Sequence, residues 1–288
     1  MDLINNHKEN LIVAVWMVTY NHELYIEQAI ESVMMQVSDF EFKLFIGEDC
    51  STDRTREICL KLKDKYGDKI ELILHESNVG PNKNALTVYN ACFNSGAKYV
   101  AMLEGDDYWM NNYKLKKQVD FLEQNEEYSG CFHNVIMRNE MNTDSTPKPW
   151  RNYAKDSFKL IDTFSKLALL HTSSFVFRRV FFELPLWYAN AKSGDMVLFS
   201  IIASKGMLKL LPGESSVYRK NEKGVTSKIK IIQHHKDRIK LMQLFKKNFN
   251  VHSQHLQQII NYHRKQVLVG YIKNIINTLK LRLNEIFR

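Results

Sequence analysis

The chain has 288 residues, of which 44% are hydrophobic, and a formal net charge of +8. That length suits one large α/β domain with an appendage or two small domains, and that apolar content excludes a disordered chain. No run reaches the roughly 18–20 apolar residues of a membrane span, and the four scattered cysteines give neither a zinc pattern nor a disulfide framework.

The polar start "MDLINNHKEN" lacks the pattern of a secretory leader, so a reducing cytoplasm is the expected compartment. The charge is uneven. Residues 228–288 hold 13 lysines and arginines against two acids, Asp237 and Glu285, which leaves the first 227 residues at −3. The basicity therefore belongs to the C-terminal end.

"LIVAVWMVTYN" (11–21) is a continuous apolar run with polar residues at its close, the pattern of a strand buried on both faces of a parallel sheet. In "HELYIEQAIESVMMQ" (22–36), Ile26, Ala29, Ile30, Val33 and Met34 fall at helical spacing. A second strand over 42–53 ends in acids and small polar residues, and Asp53 is placed to cap a helix over 53–66. A third strand (69–76), a helix with Pro81 at its start and Gly96 at its end (81–96), a fourth strand (98–105) and a helix (113–124) follow. This alternation predicts right-handed βαβ units on a parallel sheet.

Beyond residue 128 the pattern loosens. Strands are expected over 129–139, in an antiparallel setting, and over 171–179, with a loop over 142–156 between them. A strand pair is expected around Pro212-Gly213 (207–220), then a mobile loop "NEKGVTSK" (221–228). The rest reads as helix. One helix carries Ile232, His235, Ile239, Met242 and Phe245; another carries Ile272, Ile275, Ile276, Leu279, Leu283 and Ile286.

Three polar tails, Thr19–Asn21, Glu48–Ser51 and Glu104–Asp107, end the first, second and fourth predicted strands. Open α/β sheets bind ligands at that edge. In "EGDDYW" three carboxylates crowd into four positions behind a buried strand. A hard divalent cation takes carboxylate oxygens and shares its shell with substrate phosphates, so the turn suits Mg²⁺ or Mn²⁺ beside a diphosphate.

"VTYNHELYIEQAIESVMMQ", "IGEDCSTDRT", "ESNVGPNKNA" and "EGDDYW" stand in the order and approximate spacing of family 2 glycosyltransferases. The chain resembles that family over about residues 10–230. The resemblance implies a GT-A fold: α/β, with a Rossmann-like, mixed but mostly parallel sheet flanked by helices. It implies inverting transfer of a sugar from a nucleotide diphosphate, with a UDP-sugar the first donor expected.

Position by position, the resemblance puts Thr19, Tyr20 and Asn21 in the loop that holds base and ribose, with Glu23 assisting. Asp49 matches the carboxylate that accepts the base imide N–H. Asn78, Gly80 and Asn84 match the segment under the nucleotide. Glu104, Gly105 and Asp106 match the DxD motif: the first acid faces the ribose and Asp106 the metal, supported by Asp107. The first acid is Glu where Asp is commoner, one methylene longer. Asp195, at the start of a helix beyond the metal motif, matches the general base; Gly194-Asp195 also suits a plain N-cap. "VYRKNEKGVTS" (217–227) matches the loop over the diphosphate, where Arg219, Lys220 or Lys223 is placed to neutralise phosphate and Asn221 stands in place of a commoner histidine. Trp109 and His171 are assigned to the acceptor side.

These expectations give a glycosyltransferase domain over 1–228 and a basic helical extension over 229–288. The implied partners are a nucleotide-sugar donor and a glycan or lipid-linked acceptor, with a role in surface polysaccharide biosynthesis. No nucleic-acid site is expected, because the basic end lacks aromatic interleaving. Residues 255–288 suit the inner face of an anionic membrane, packing on the catalytic domain, or a helix-mediated homo-oligomer. Two rivals are a sugar nucleotidyltransferase and a catalytically inactive recruitment module. "TYNHELYIEQ" lacks the first one's glycine-rich loop, and intact Asp49, Asp106 and Asp195 speak against the second.

Overall fold

A computed structural model describes residues 11–142, 145–179, 184–185, 187–188, 191–221, 231–249, 251 and 254–286. The chain runs β1 (Leu11–Thr19), α1 (Ile26–Met34), β2 (Glu41–Glu48), α2 (Thr55–Tyr66), β3 (Ile70–Leu74), α3 (Pro81–Asn94) and β4 (Tyr99–Glu104). It continues with β5 (Tyr108–Trp109), α4 (Lys114–Gln124), β6 (Tyr128–Asn139), β7 (Lys148–Pro149), β8 (Ser157–Phe158), α5 (Leu160–Thr163) and β9 (Val176–Arg178). α6 (Gly194–Ala203), β10 (Met207–Lys220), α7 (Ile231–Asn248) and α8 (Gln254–Ile286) complete it.

One sheet has the strand order β3-β2-β1-β4-β9-β6-β10-β5, with β7 beside β6 and β8 beside β10. β3, β2, β1 and β4 are mutually parallel, as the βαβ pattern requires. β1 shows why the apolar run is continuous. Val13, Val15 and Met17 face one layer with α1, α2 and α4, while Ala14 and Trp16 face the other with α3 and α6.

The second half differs from the expectation in three places. β6 is antiparallel to β9 but parallel to β10. Residues 171–179 are a 3-10 turn at Thr172–Ser174 followed by the three-residue β9, because His171 and its serines bond locally: the Ser173 N–H reaches His171 Nδ1 and Ser174 Oγ donates to the His171 carbonyl. Residues 207–220 are one strand, not a pair. Its register against β6 slips between Leu211 and Glu214, where Gly213 takes a φ of 85°.

The C-terminal helices join the main core. Leu241, Met242 and Phe245 of α7 and Leu256, Ile259 and Ile260 of α8 are buried in the layer that holds Phe164, Met196 and Phe199. The rings of Phe245 and Phe249 pack tilted against Phe164, at 5.1 and 5.7 Å between centroids.

On α4, Lys114 is buried with its ammonium 4.1 Å from the Trp109 ring centroid and no hydrogen-bond partner among the described residues. Burial pulls its pKa down to about 7. The unfolded chain therefore holds that proton up to about pH 10.4, and stability should rise with pH across that window. Lys114→Met keeps the stem and removes the enclosed amine. It is expected to stabilise the fold by about 1–3 kcal/mol at pH 7, with a smaller gain at pH 10, as read by denaturant unfolding.

Candidate active site

β2, β1 and β4 lie side by side, so their three polar tails share one edge. The Asp49 N–H donates to the Thr19 carbonyl and the Gly105 N–H to the Val18 carbonyl, which stitches the tails together. A Cβ at Gly105 would come within 2.8 Å of Thr19 Cβ and Oγ1, so only glycine lets the acidic turn lie this close to β1.

The first loop is braced by its neighbours. Asn21 adopts a φ of 56° and accepts the Thr52 N–H at 2.8 Å; its own N–H donates to Ser51 Oγ. Glu23 accepts the Arg54 N–H at 3.2 Å. Thr19 is buried with Oγ1 at 3.2 Å from His22 Nδ1, while Tyr20 is 40% exposed above them.

Asp49 is buried, and its two carboxylate oxygens accept the Val79 and Gly80 N–H groups at 2.7 and 3.0 Å. Each oxygen keeps a second lone pair. Asn78 donates to the Asp49 carbonyl at 3.2 Å, and Gly80 takes a φ of 85°. Asn84 departs from its expected place under a nucleotide. It is buried between β2 and α3, donating to the Gly47 carbonyl and meeting His75 Nε2, so both ends of its amide are spent inside the fold.

The acidic turn is stratified. Asp106 faces the open side, where Oδ2 accepts from Asn221 Nδ2 at 3.0 Å and lies 3.9 Å from His22 Nε2. Asp107 is fully buried. Its Oδ1 accepts the Arg219 N–H at 2.9 Å; its Oδ2 has no hydrogen-bond partner among the described residues and lies 3.8 Å from His171 Nδ1. Burial, reinforced by the neighbouring carboxylates, lifts Asp107 and Glu104 well above the usual carboxylate range. Burial also pulls His171 down to about 4.

Arg219, expected over a diphosphate, is instead enclosed beneath the turn. Its guanidinium lies 4.4 Å from the Tyr108 ring centroid and 5.1 Å from that of Tyr25, and donates to the Asp106 carbonyl and to Gln28 Oε1. Trp109, expected at the acceptor side, is core: its indole N–H donates to the Ser173 carbonyl at 2.8 Å. His171 packs against Trp150 and Tyr218 beside Asp107. Lys223 and most of the 221–228 loop lie outside the described residues.

Asp195 sits half-buried in the first turn of α6, after Ser193 with a φ of 71°. Although 91 positions separate it from Glu104, its charge is one of those that raise Glu104. Glu104, Asp107 and His171 each bring one ligand atom within 4.8 Å of the others. Crowded, buried carboxylates without a counter-charge, one with an oxygen that has no hydrogen-bond partner among the described residues, fit a divalent cation in chemistry and in placement. His22 was not legible as a site residue, and Asn221 only as a loop position where a histidine is commoner; each meets Asp106 through the folded arrangement of β1 and β10.

The model of the family described as Glycosyl transferase family 2 matches residues 14–184. The uncharacterized protein Rv1520 of Mycobacterium tuberculosis is 30% identical over 210 residues, 72% of this chain and 58% of that protein. The chain thus spans just over half the length of that relative. The putative teichuronic acid biosynthesis glycosyltransferase TuaG of Bacillus subtilis is 33% identical over 136 residues, 47% of this chain and 50% of that one. Among solved structures, S. aureus TarS 1–349 in complex with UDP-GlcNAc superimposes with a TM-score of 0.63 at 19% identity, over 89% of this chain and 72% of that one. That likeness concerns the fold.

Proposed function

The chain belongs to glycosyl transferase family 2, and from that premise we propose that it transfers a sugar from a nucleoside-diphosphate donor, UDP-linked, to a hydroxyl with inversion. The observation that carries this reading is the meeting of Glu104 and Asp107 with His171, from two distant segments, with one ligand atom of each within 4.8 Å of the others. The loops at Thr19–Asn21 and Asp49 frame the base and ribose, and the free lone pairs of Asp49 remain for an imide N–H. Asp106, on the open side, and Asp107, with its unpartnered oxygen, hold Mn²⁺ or Mg²⁺, with Glu104 and His171 within reach. When bound, that ion neutralises charge on the departing diphosphate. Asp195 accepts the proton of the attacking hydroxyl.

The acceptor in this reading is a glycan or lipid-linked saccharide destined for a surface polymer. TuaG, by its name a teichuronic acid enzyme, supports that class, as TarS with UDP-GlcNAc supports the donor. A thermal-shift panel of UDP-, GDP- and dTDP-sugars, with and without Mn²⁺, tests it. Ligand at about 100 times its dissociation constant adds about 2.7 kcal/mol, so the UDP-sugar with Mn²⁺ should give the largest rise. Turnover of that donor separates an enzyme from an inactive module. A panel in which no nucleotide sugar moves the midpoint rejects the reading.

In the same proposal the body spans 1–228 and the helical extension 229–288, and the far part of α8 meets the inner face of an anionic membrane. Leu268, Tyr271, Ile272, Ile275 and Leu279 lie exposed along α8 with Arg264, Lys265 and Lys273 on the same segment. No described helix is long and apolar enough to cross a bilayer, so this stripe would lie on one. Cutting at residue 228 would strip α7 from the core. Paired Ile272→Glu and Ile275→Glu substitutions leave that core intact. They are expected to abolish pelleting with anionic vesicles at low salt, and the unsubstituted chain should release as salt rises. Equal pelleting of both proteins removes the membrane contact; a dimer lost with the same substitutions points to self-association.

A further inference from the structure

Glu48 adjoins Asp49 at the end of β2, yet the donor site as read above makes no use of it. Its side chain is fully buried, and both carboxylate oxygens are taken: Oε1 accepts the Ser51 N–H at 2.7 Å and Oε2 accepts from Arg56 Nε. A carboxylate withdrawn from water keeps its place only while such partners hold it. Arg56 stands half-buried in the first turn of α2. A cation there opposes the helix dipole, so the stability of α2 does not explain it.

The guanidinium has a second partner. Nη2 donates to the His75 carbonyl at 2.6 Å, where the chain leaves β3, and the His75 N–H returns to the Glu48 carbonyl at 3.1 Å. Arg56 thus ties the end of β2 to residues 75–80. That segment delivers the Val79 and Gly80 N–H groups to the Asp49 carboxylate. On the other side Ser51, whose N–H is held by Glu48, accepts the Asn21 N–H through Oγ at 3.0 Å. The same buried carboxylate therefore bears on the first loop as well. Between Asp49 and Ser51 the chain passes through Cys50 with a φ of 56°, a left-handed backbone that a cysteine keeps only where its surroundings impose it.

Resting on the reading of Asp49 as the group that meets the base, we propose that Arg56 is a positioning residue for nucleotide recognition: by bridging the Glu48 carboxylate and the His75 carbonyl it fixes the Asp49 oxygens in place, and so governs affinity for the base and choice between bases. It does not touch the nucleotide. Without it Glu48 is a buried carboxylate with one partner, which turns toward water and releases the Ser51 N–H. The 75–80 segment loses its charge-assisted tie to β2. Asp49 keeps its chemistry but is less well placed to use it.

Full-length Arg56→Met and Arg56→Lys test this, with Asp49→Asn as the reference. Calorimetry of UDP and of GDP with Mn²⁺, below the unfolding transition of every variant, reads affinity and base choice. Turnover of the panel donor that the unsubstituted enzyme uses reads KM and kcat. Arg56→Met should weaken UDP binding about tenfold or more, the scale of one lost hydrogen bond to a charged group, and narrow the preference between UDP and GDP. KM should rise with it while kcat at saturating donor stays within about threefold. Arg56→Lys keeps the charge but not the two-pronged bridge, so it should recover part of the affinity and not all of it. A merely structural role gives another pattern: a lower melting temperature and a smaller active fraction, hence a lower kcat, at unchanged KM and unchanged base preference. That pattern, or wild-type UDP affinity in Arg56→Met, overturns the inference. If Arg56→Met does not fold, Arg56→Lys decides, and wild-type affinity there overturns it. Unimpaired UDP binding in Asp49→Asn removes the reading of Asp49 and this one with it; a weakened Asp49→Asn beside a silent Arg56→Met overturns this one alone.

Discussion

Asp195→Asn binds donor as the unsubstituted chain does and loses about 10²–10⁴-fold in transfer, the usual contribution of a positioned general base. The amide matches the carboxylate in shape and keeps the first turn of α6 as it is. It cannot accept the hydroxyl proton as the new bond forms. Its charge is also one of those that raise Glu104, so neutralising it lowers the pKa of Glu104 and leaves the metal side of the site no weaker. The two effects separate cleanly: nucleotide affinity with Mn²⁺ stays or improves while kcat collapses. Calorimetry alongside single-turnover transfer reads both. Transfer at the wild-type rate, or a loss of donor affinity with it, moves the base to another residue.

Asp106→Asn is expected to remove Mn²⁺-dependent turnover, by about 10³-fold for the several kcal/mol that a bound cation supplies to the transition state. An ion that also touches substrate phosphates must stand on the open side of the turn, and Asp106 is the acid there; Asp107 lies behind it, fully buried. The fold should tolerate the change. The remaining Oδ can still accept from Asn221 Nδ2, and Arg219 binds the Asp106 carbonyl, which the substitution leaves alone. An unchanged melting temperature together with a lost Mn²⁺-dependent nucleotide shift is the expected pair of results. A variant that still needs Mn²⁺ and turns over normally assigns the ion to Glu104, Asp107 and His171.

The first half of this fold was legible because its signals are local. An apolar run with a polar end marks a strand pointing at the site, and β1, β2 and β4 followed that rule. Glycine at 105 was visible as a small residue between acids, though only the 2.8 Å approach to Thr19 explains it. What escaped the sequence is set by long-range packing. Trp109 follows the acidic turn directly, which reads as a substrate-facing aromatic, but strand pairing with β10 turns it inward. Arg219 reads as a phosphate ligand until the turn is seen to close over it. Asn84 sits in a motif beside Gly80, yet its amide is needed by Gly47 and His75. The helical pattern of α7 and α8 was clear, but periodicity alone does not say which partner covers the apolar face.

The burial of Leu256, Ile259 and Ile260 beside Phe164 and Met196 bears on how this protein is made. Synthesis runs from the N-terminus, so the β1–β4 half emerges with its parallel pairs available long before those residues leave the ribosome. Until the start of α8 is released, Phe164, Phe199 and Phe245 lack part of their covering. A stalled or prematurely terminated chain would therefore hold a nearly complete sheet with an open aromatic flank, the kind of surface that chaperones bind and that drives aggregation. Protein quality control would meet such a chain through that aromatic flank.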